Sequence, residues 1–310
     1  MDSPKVSIVT PSYQQAPFLE ETILSVLSQN YPNLEYWIMD GGSTDGSVEI
    51  IRKYQSSLAS WVSQPDGGQA NAINTGWQKS TGEIVAYLNA DDRYTPGSIA
   101  KVVQTFQRFP EVGIAYGSCL FQLENRKQAL YSPPDFEFHR LLLENYIPQP
   151  TVFIRRSVLE QVGLLDPSLR YCLDYDFWLR CALAGVTFRR MDGSPLAIFR
   201  IWPGSKTSND SEGWVEERLN VLDRVFSSPS AAPALRRLKT YAQARSYVTV
   251  AYAISLNGDV RSARRFLERA WALNRLILRD VQFLRVGIST LLGSRATRYL
   301  RQMKWALQKG

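Results

Sequence analysis

The chain has 310 residues, 45% hydrophobic and 12% aromatic, with a net charge of +7, enough for one large domain or one domain with a smaller module. No apolar run reaches the roughly 18 residues needed to span a bilayer. His139 is the only histidine, with no second His to partner it, which argues against histidine-based triads and His-rich zinc sites. The three cysteines, Cys119, Cys172 and Cys181, lack metal-ligand spacing, and an odd count predicts reduced thiols in a cytoplasmic protein. Met1-Asp2-Ser3-Pro4-Lys5 leads straight into a strand, which predicts no signal peptide.

The first half alternates strand and helix patterns. Strands are predicted at Lys5 to Thr10, Leu34 to Met39, Ala59 to Ser63, Glu83 to Leu88 and Val112 to Tyr116, from short apolar runs bounded by turn residues. Helices are predicted between them at Pro17 to Gln29, Ser47 to Tyr54, Gln69 to Lys79 and Pro96 to Phe109. This alternation predicts an α/β fold with a mostly parallel sheet and helices on both faces. The middle reads as a hairpin over Ser118 to Tyr131, a helix over Phe136 to Asn145 and a strand over Thr151 to Ile154. A helix over Asp174 to Ala184 ends at Gly185, short strands follow at Val186 to Arg190 and Leu196 to Ile201, and Trp202 to Gly213 is a polar loop. From Trp214 on, helical spacing prevails: Val215 to Phe226, Leu235 to Leu256, Val260 to Leu273, Ile277 to Leu292 and Ser294 to Leu307, with Asn257-Gly258-Asp259 as a turn and cap. The predicted organisation is therefore residues 1–213 as an α/β domain and 214–310 as a helical appendage.

Polar clusters fall at the ends of the predicted strands. Asn89, Asp91 and Asp92 follow the buried run Ile84 to Leu88. Ligands of open α/β sheets bind beyond the carboxyl ends of the strands, and adjacent carboxylates repel unless a cation or donors neutralise them. Mg²⁺ and Mn²⁺ take oxygen ligands and bridge to phosphates, so a metal with a diphosphate fits the cluster. A helix cap by Asp92 or Thr95 accounts for the pair equally well. Thr10-Pro11-Ser12-Tyr13 ends the first strand, and Asp40-Gly41-Gly42-Ser43-Thr44-Asp45-Gly46 ends the second. Asp40 is placed at the ligand crevice, and Asp45 as a helix cap. Pro65-Asp66-Gly67-Gly68-Gln69 leads into a helix carrying Asn71 and Asn74; a turn explains Asp66 and the glycines but not the polar side chains that follow. Asp174 and Asp176 open an apolar helix, where a carboxylate is favourable by about 0.3–1 kcal/mol in its own right or acts as a general base.

Taken in order and spacing, Thr10-Pro11-Ser12-Tyr13, Asp40-Gly41-Gly42-Ser43-Thr44-Asp45-Gly46, Leu88-Asn89-Ala90-Asp91-Asp92 and Asp174-Tyr175-Asp176 resemble family 2 glycosyltransferases over about residues 5–208. The resemblance implies a GT-A fold, a nucleotide-sugar donor, a divalent metal (Mg²⁺ or Mn²⁺) and inversion at the anomeric carbon. It implies donor contacts at Thr10, Pro11, Tyr13, Asp40 (to the nucleobase), Asp66, Gln69, Asn74, Asn89, Ala90, Arg200 and Lys206. It further implies Asp91 as metal ligand and Asp174 as general base. Two positions depart from the family pattern: Asn89 stands where the acidic motif usually begins with Asp, and Trp202 where relatives often carry His. The expected function is inverting sugar transfer from a nucleotide-diphosphate sugar to a saccharide or lipid-linked acceptor in polysaccharide or glycolipid synthesis. The alternatives are a metal-dependent nucleotidyltransferase and a non-catalytic nucleotide-sugar-binding protein.

Charge divides the chain. Residues 1–214 hold 18 Lys/Arg against 23 Asp/Glu, whereas residues 215–310 hold 18 against 6. The basic helices are compatible with peripheral contact to an anionic membrane or with packing, including packing in a homo-oligomer. No nucleic-acid recognition motif is present.

Overall fold

The computed structural model describes residues 3–123, 127–205, 211–229, 232–256 and 258–291. These fall into two compact units, one within Met1–Phe138 and Asn145–Ser208 and one within His139–Glu144 and Asn209–Gly310.

The first unit opens with β1 (Val6–Ser12), α1 (Ala16–Leu27), β2 (Leu34–Asp40), α2 (Ser47–Tyr54), β3 (Ser60–Ser63), α3 (Gln69–Lys79) and β4 (Ile84–Tyr87). It continues with β5 (Arg93–Tyr94), α4 (Ser98–Arg108), β6 (Ile114–Tyr116), β7 (Cys119–Gln122) and β8 (Gln128–Tyr131), after which α5 (Phe138–Leu143) falls almost wholly within the second unit. Last come β9 (Phe153–Arg155), α6 (Arg156–Val162), α7 (Leu173–Leu183), β10 (Phe188–Arg190) and β11 (Ala197–Arg200). The main sheet has the order β10-β6-β9-β4-β1-β2-β3, all parallel except β9, which runs antiparallel to both its neighbours.

Every residue of β1 is buried, because neighbouring strands pair on both edges and helices cover both faces. Val6 and Ile8 join Leu19, Ile23 and Val26 of α1 in the core. Val9, pointing the other way by the period of two, lies against α3, where a Cβ on Gly76 would come within 2.6 Å of a Val9 methyl. The absence of that Cβ lets the helix sit close to the strand.

A second, four-stranded sheet has the order β5-β11-β7-β8. The two-residue β5 pairs antiparallel with β11, and this pairing carries Arg200 back to the acidic motif. Neither β5, its pairing, nor α6 is announced by sequence periodicity. The expected hairpin is present as β7 paired with β8. The capping explanation of the acidic pair is not what α4 shows: its N-cap is Gly97 in the left-handed conformation, with no side-chain cap.

The second unit contains α8 (Ser211–Ser227), α9 (Pro233–Arg236), α10 (Lys239–Leu256) and α11 (Val260–Leu273), and residues 281–291 form a further helix, α12. Val248, Ala251, Ala263, Phe266 and Ala270 knit α10 and α11 into a small core of their own. Asp259 caps α11 by accepting the Ser262 N–H at 3.0 Å. The buried Arg218 donates to Ser246 Oγ at 3.0 Å, and Arg245 forms a two-pronged pair with Asp280 at 2.8 Å. The helix expected over Ser294 to Leu307 lies outside the described residues. Among the described residues, no helix is long and apolar enough to cross a membrane.

Candidate active site

A cavity of about 730 Å³ opens at the carboxyl ends of β1, β2 and β4, where an open α/β sheet places its ligands. Its walls come from four stretches: Pro11 to Tyr13 after β1, Gly41 after β2, Pro65 to Ala70 at the head of α3, and Asn89 to Asp91 after β4. Residues 167–171 with Asp174 close one side, and Arg200 and Trp202 close another.

The acidic motif is held rigidly. Asp92 is buried, and its Oδ1 accepts the backbone N–H of Arg200 at 3.0 Å. Burial, reinforced by the neighbouring Asp91 carboxylate, pushes the Asp92 carboxyl well above the usual carboxylate range. Asp91 lines the cavity; its Oδ2 accepts the Trp202 indole N–H at 2.9 Å. Trp202 in turn packs on Phe18 with ring centroids 4.9 Å apart.

Asn89 is fully engaged. Its Oδ1 accepts from Gln69 Nε2 at 2.7 Å, and its Nδ2 donates to Gln149 Oε1 at 3.2 Å. Gln149 Nε2 donates onward to the Tyr87 carbonyl at 2.9 Å. This chain of amides crosses the cavity floor and commits the Asn89 oxygen that a metal would need. The sequence gives no signal for Gln149, because its partners lie about 60 residues away on β4 and the loop after it.

Asp174 lines the cavity at the start of α7. Its Oδ1 accepts the Tyr175 N–H at 2.7 Å and its Oδ2 accepts from Asn145 Nδ2 at 3.2 Å. Asp176 is buried and paired with Arg180 at 2.7 Å, and that arginine also ties down the carbonyls of Val162 and Leu164. The second carboxylate of the motif is therefore an anchor for α7. Arg200 lines the cavity with its guanidinium paired to Glu21 of α1 at 2.6 Å and lying over the Phe18 ring at 4.5 Å.

Three residues expected to touch the donor are placed otherwise. Thr10 is fully buried and hydrogen-bonded to Tyr36 at 2.9 Å. Asn74 clasps the backbone of Leu165 through both amide atoms. Asp40 accepts four bonds, from Ser43 N–H, Gly42 N–H, Ser43 Oγ and Ser63 Oγ, at 2.6–3.1 Å. Three of these bonds fall on Oδ2 and one on Oδ1, so the Asp40 carboxylate ties its own turn to the end of β3. Asp45 bridges the starts of α2 and α1, accepting from Ser47 N–H at 3.1 Å and Ala16 N–H at 2.9 Å. Pro11, Tyr13, Asp66, Gln69, Asn89, Ala90, Asp91, Asp174 and Arg200 are brought together in the cavity wall. Lys206 lies outside the described residues.

Among the described residues, no three His, Cys, Asp or Glu side chains converge to hold a metal by themselves. Asp91 Oδ1 accepts no hydrogen bond within the described residues, leaving a single carboxylate oxygen at the cavity. That set fits a Mg²⁺- or Mn²⁺-type ion whose other ligands are substrate phosphates and water.

Comparison with known proteins agrees with this architecture. The chain is 31% identical to an uncharacterized glycosyltransferase of Nostoc sp. over 175 residues, covering 53% of this chain and 54% of that protein. It is 28% identical over 211 residues to TuaG of Bacillus subtilis, a glycosyltransferase named for teichuronic acid biosynthesis, covering 66% and 82%. The chain spans about half the length of several curated relatives it matches. In three dimensions it superposes on S. aureus TarS 1–349 in complex with UDP-GlcNAc with a TM-score of 0.66, at 16% identity, covering 97% of this chain and 92% of that one. The mannosyltransferase PcManGT of Pyrobaculum calidifontis, in complex with GDP-Man and Mn²⁺, gives a TM-score of 0.60 at 20% identity, covering 96% and 87%. At these identities the structural matches speak for the fold. Residues 7–163, just over half of the chain, match the sequence model of glycosyl transferase family 2, and the chain belongs to that family.

Proposed function

We propose that the protein is an inverting glycosyltransferase that moves a sugar from a nucleoside-diphosphate donor to an acceptor hydroxyl in polysaccharide or glycolipid synthesis. The observation that carries this reading is the convergence of Asp91, Asp174 and Arg200 on one cavity, from three separate segments of the sequence. TarS bound to UDP-GlcNAc, PcManGT bound to GDP-Man and Mn²⁺, and the name of TuaG support a nucleotide-sugar donor and a polysaccharide or glycolipid product.

Asp174 serves as general base. Its carboxylate is held by the Tyr175 N–H and the Asn145 amide, which orients it to take the proton of the acceptor hydroxyl as that oxygen attacks the anomeric carbon. One displacement inverts the centre, so no protein nucleophile is needed. Asp91 would hold a divalent ion at the donor-binding end of the cavity. When bound, that ion neutralises the charge of the leaving nucleoside diphosphate. Arg200, shielded by Phe18 and Glu21, keeps positive charge near the same group. Gln69 and Asn89, hydrogen-bonded to each other, brace the floor of the cavity beneath the sugar.

We further propose that the basic second unit rests on an anionic membrane from the cytoplasmic side. Leu276, Leu278, Val281, Leu284 and Ile288 are 46–61% exposed, and Arg275, Arg279 and Arg285 lie among them in sequence.

The deciding experiment is release of nucleoside diphosphate from a panel of sugar nucleotides, with and without Mn²⁺. Release of diphosphate with inversion at the sugar is the expected result. Release of pyrophosphate would identify a nucleotidyltransferase, and binding without turnover a non-catalytic protein.

A further inference from the structure

Asp40 is only 2% exposed, and its carboxylate braces the turn at Gly42 and Ser43 against Ser63 of β3. The next residue, Gly41, lines the cavity without a side chain. A Cβ placed there would lie 3.1 Å from Asp66 Oδ2 and 3.2 Å from Tyr13 Cδ2. The missing side chain thus leaves a slot one methyl wide between a carboxylate oxygen and an aromatic ring. Pro11 and Pro65 add flat apolar walls, and Tyr13 is 61% exposed, an aromatic face with room for a second ring.

Polar atoms without partners gather at this cavity. Asp66 Oδ1 accepts the Gly68 N–H at 2.7 Å, while Oδ2 accepts nothing among the described residues. Ser12 Oγ and Gln15 Oε1 are buried at the same cavity with no hydrogen-bond partner, and Ser12 is only 3% exposed. Buried polar atoms are ordinarily satisfied, so two orphans beside one cavity call for a ligand that brings donors.

We propose that Asp66 is the residue that selects the donor's base, accepting the ring N–H of uracil or guanine in the slot opened by Gly41. This deepens the glycosyltransferase reading and rests on it. A carboxylate only accepts. Uracil N3 and guanine N1 carry a hydrogen at the centre of the pairing edge, whereas adenine N1 and cytosine N3 carry a lone pair there. Setting a lone pair against Asp66 leaves two desolvated acceptors with no proton between them, the arrangement that sites use to reject the wrong partner.

The test is isothermal titration of the full chain with UDP, GDP, ADP and CDP in the presence of Mn²⁺, for wild type, Asp66→Asn and Gly41→Ala. Wild type should bind UDP or GDP at least about tenfold more tightly than ADP and CDP; the tighter of the two names the base. In Asp66→Asn the oxygen keeps the Gly68 N–H, so the amide nitrogen takes the place of Oδ2 and donates. Its preference for UDP or GDP over ADP and CDP should fall by about tenfold or more, with binding of ADP or CDP improved or unchanged, which a misfolded variant would not show. Gly41→Ala should weaken UDP and GDP by about tenfold by filling the slot. Four diphosphates binding alike in wild type, or a preference unchanged in Asp66→Asn, would overturn the assignment while leaving the nucleotide site standing. No binding of any diphosphate would instead bring down the functional reading itself.

Discussion

Asp174 and Asp176 are two residues apart and chemically identical, yet only Asp174 lines the cavity. Arg180 takes Asp176 into a buried pair at 2.7 Å, while Asp174 reaches the cavity. Asp174→Asn should therefore keep donor affinity and lower transfer by about 10²–10⁴-fold, measured as initial rate against diphosphate binding. Transfer near the wild-type rate would leave Asp174 as a helix-start residue only. The Trp202 indole occupies Asp91 Oδ2, an oxygen that could otherwise serve a metal. Trp202→Phe keeps the packing on Phe18 and removes the donor, so titration with Mn²⁺ and a nucleoside diphosphate should show affinity raised by up to about tenfold. Asp91→Ala should abolish the metal-dependent part of that binding. Equal metal dependence in wild type and Asp91→Ala would refute the ligand assignment.

Asp92 gives a pH signature of opposite sign to the usual carboxylate. Its folded pKa is raised above the ordinary 3.8 by burial and by Asp91. The folded state thus holds the proton longer than the unfolded state, and the stability tied to this group is full below about pH 4 and lost as pH rises toward the folded value. Asp92→Asn should gain stability relative to wild type as pH increases from about 4 to 7 in urea titrations. A difference that stays flat with pH would mean that Asp92 ionises freely in the fold.

At the scale of elements, α3 places Gln69 and Ala70 in the cavity wall at its start and packs Gly76 closely against Val9 of β1. Gly76→Ala adds roughly 1 kcal/mol of helix propensity, but its methyl meets the two Val9 methyl groups at 2.6 and 2.8 Å. Overpacking of this kind costs about 1–3 kcal/mol, so a net loss of stability and weaker donor binding are expected. A more stable variant with unchanged binding would show that the helix shifts freely. The alternation of strands and helices was legible because each buried strand is a short apolar run and each helix keeps a 3.6-residue stripe. The antiparallel insertion of β9 was not legible, because a three-residue apolar strand carries no mark of direction. Nor was β5, whose two residues are a strand only because β11 pairs with them.

At the scale of the molecule, charge and exposed apolar surface coincide in the second unit. Vesicle co-sedimentation should show binding to anionic vesicles at low salt, reduced at high salt, and none to neutral vesicles, since each basic side chain near such a surface contributes about 1 kcal/mol. Protein remaining in solution with anionic vesicles at low salt would assign these helices to packing or to self-association. All three cysteines are buried, and burial pushes the thiols of Cys119 and Cys181 up to about 12.

The order of motifs along the chain was enough to indicate the family and the α/β sheet, because strand-end positions and helix starts are local properties that spacing preserves. Pro11, Tyr13, Asp91 and Asp174, which the family resemblance implied, meet in one cavity. Which polar side chains remain available there was decided only by tertiary contacts. Thr10, Asp40, Asn74 and Asp176 carry the same chemistry as the cavity residues in the sequence. Each is consumed by a neighbour that the fold supplies: Tyr36, the turn at Gly42 and Ser43 with Ser63, the Leu165 backbone, and Arg180. A hydrogen-bonding group is spent by whatever lies within about 3 Å of it, and that distance is a property of the packed chain, which no linear spacing encodes.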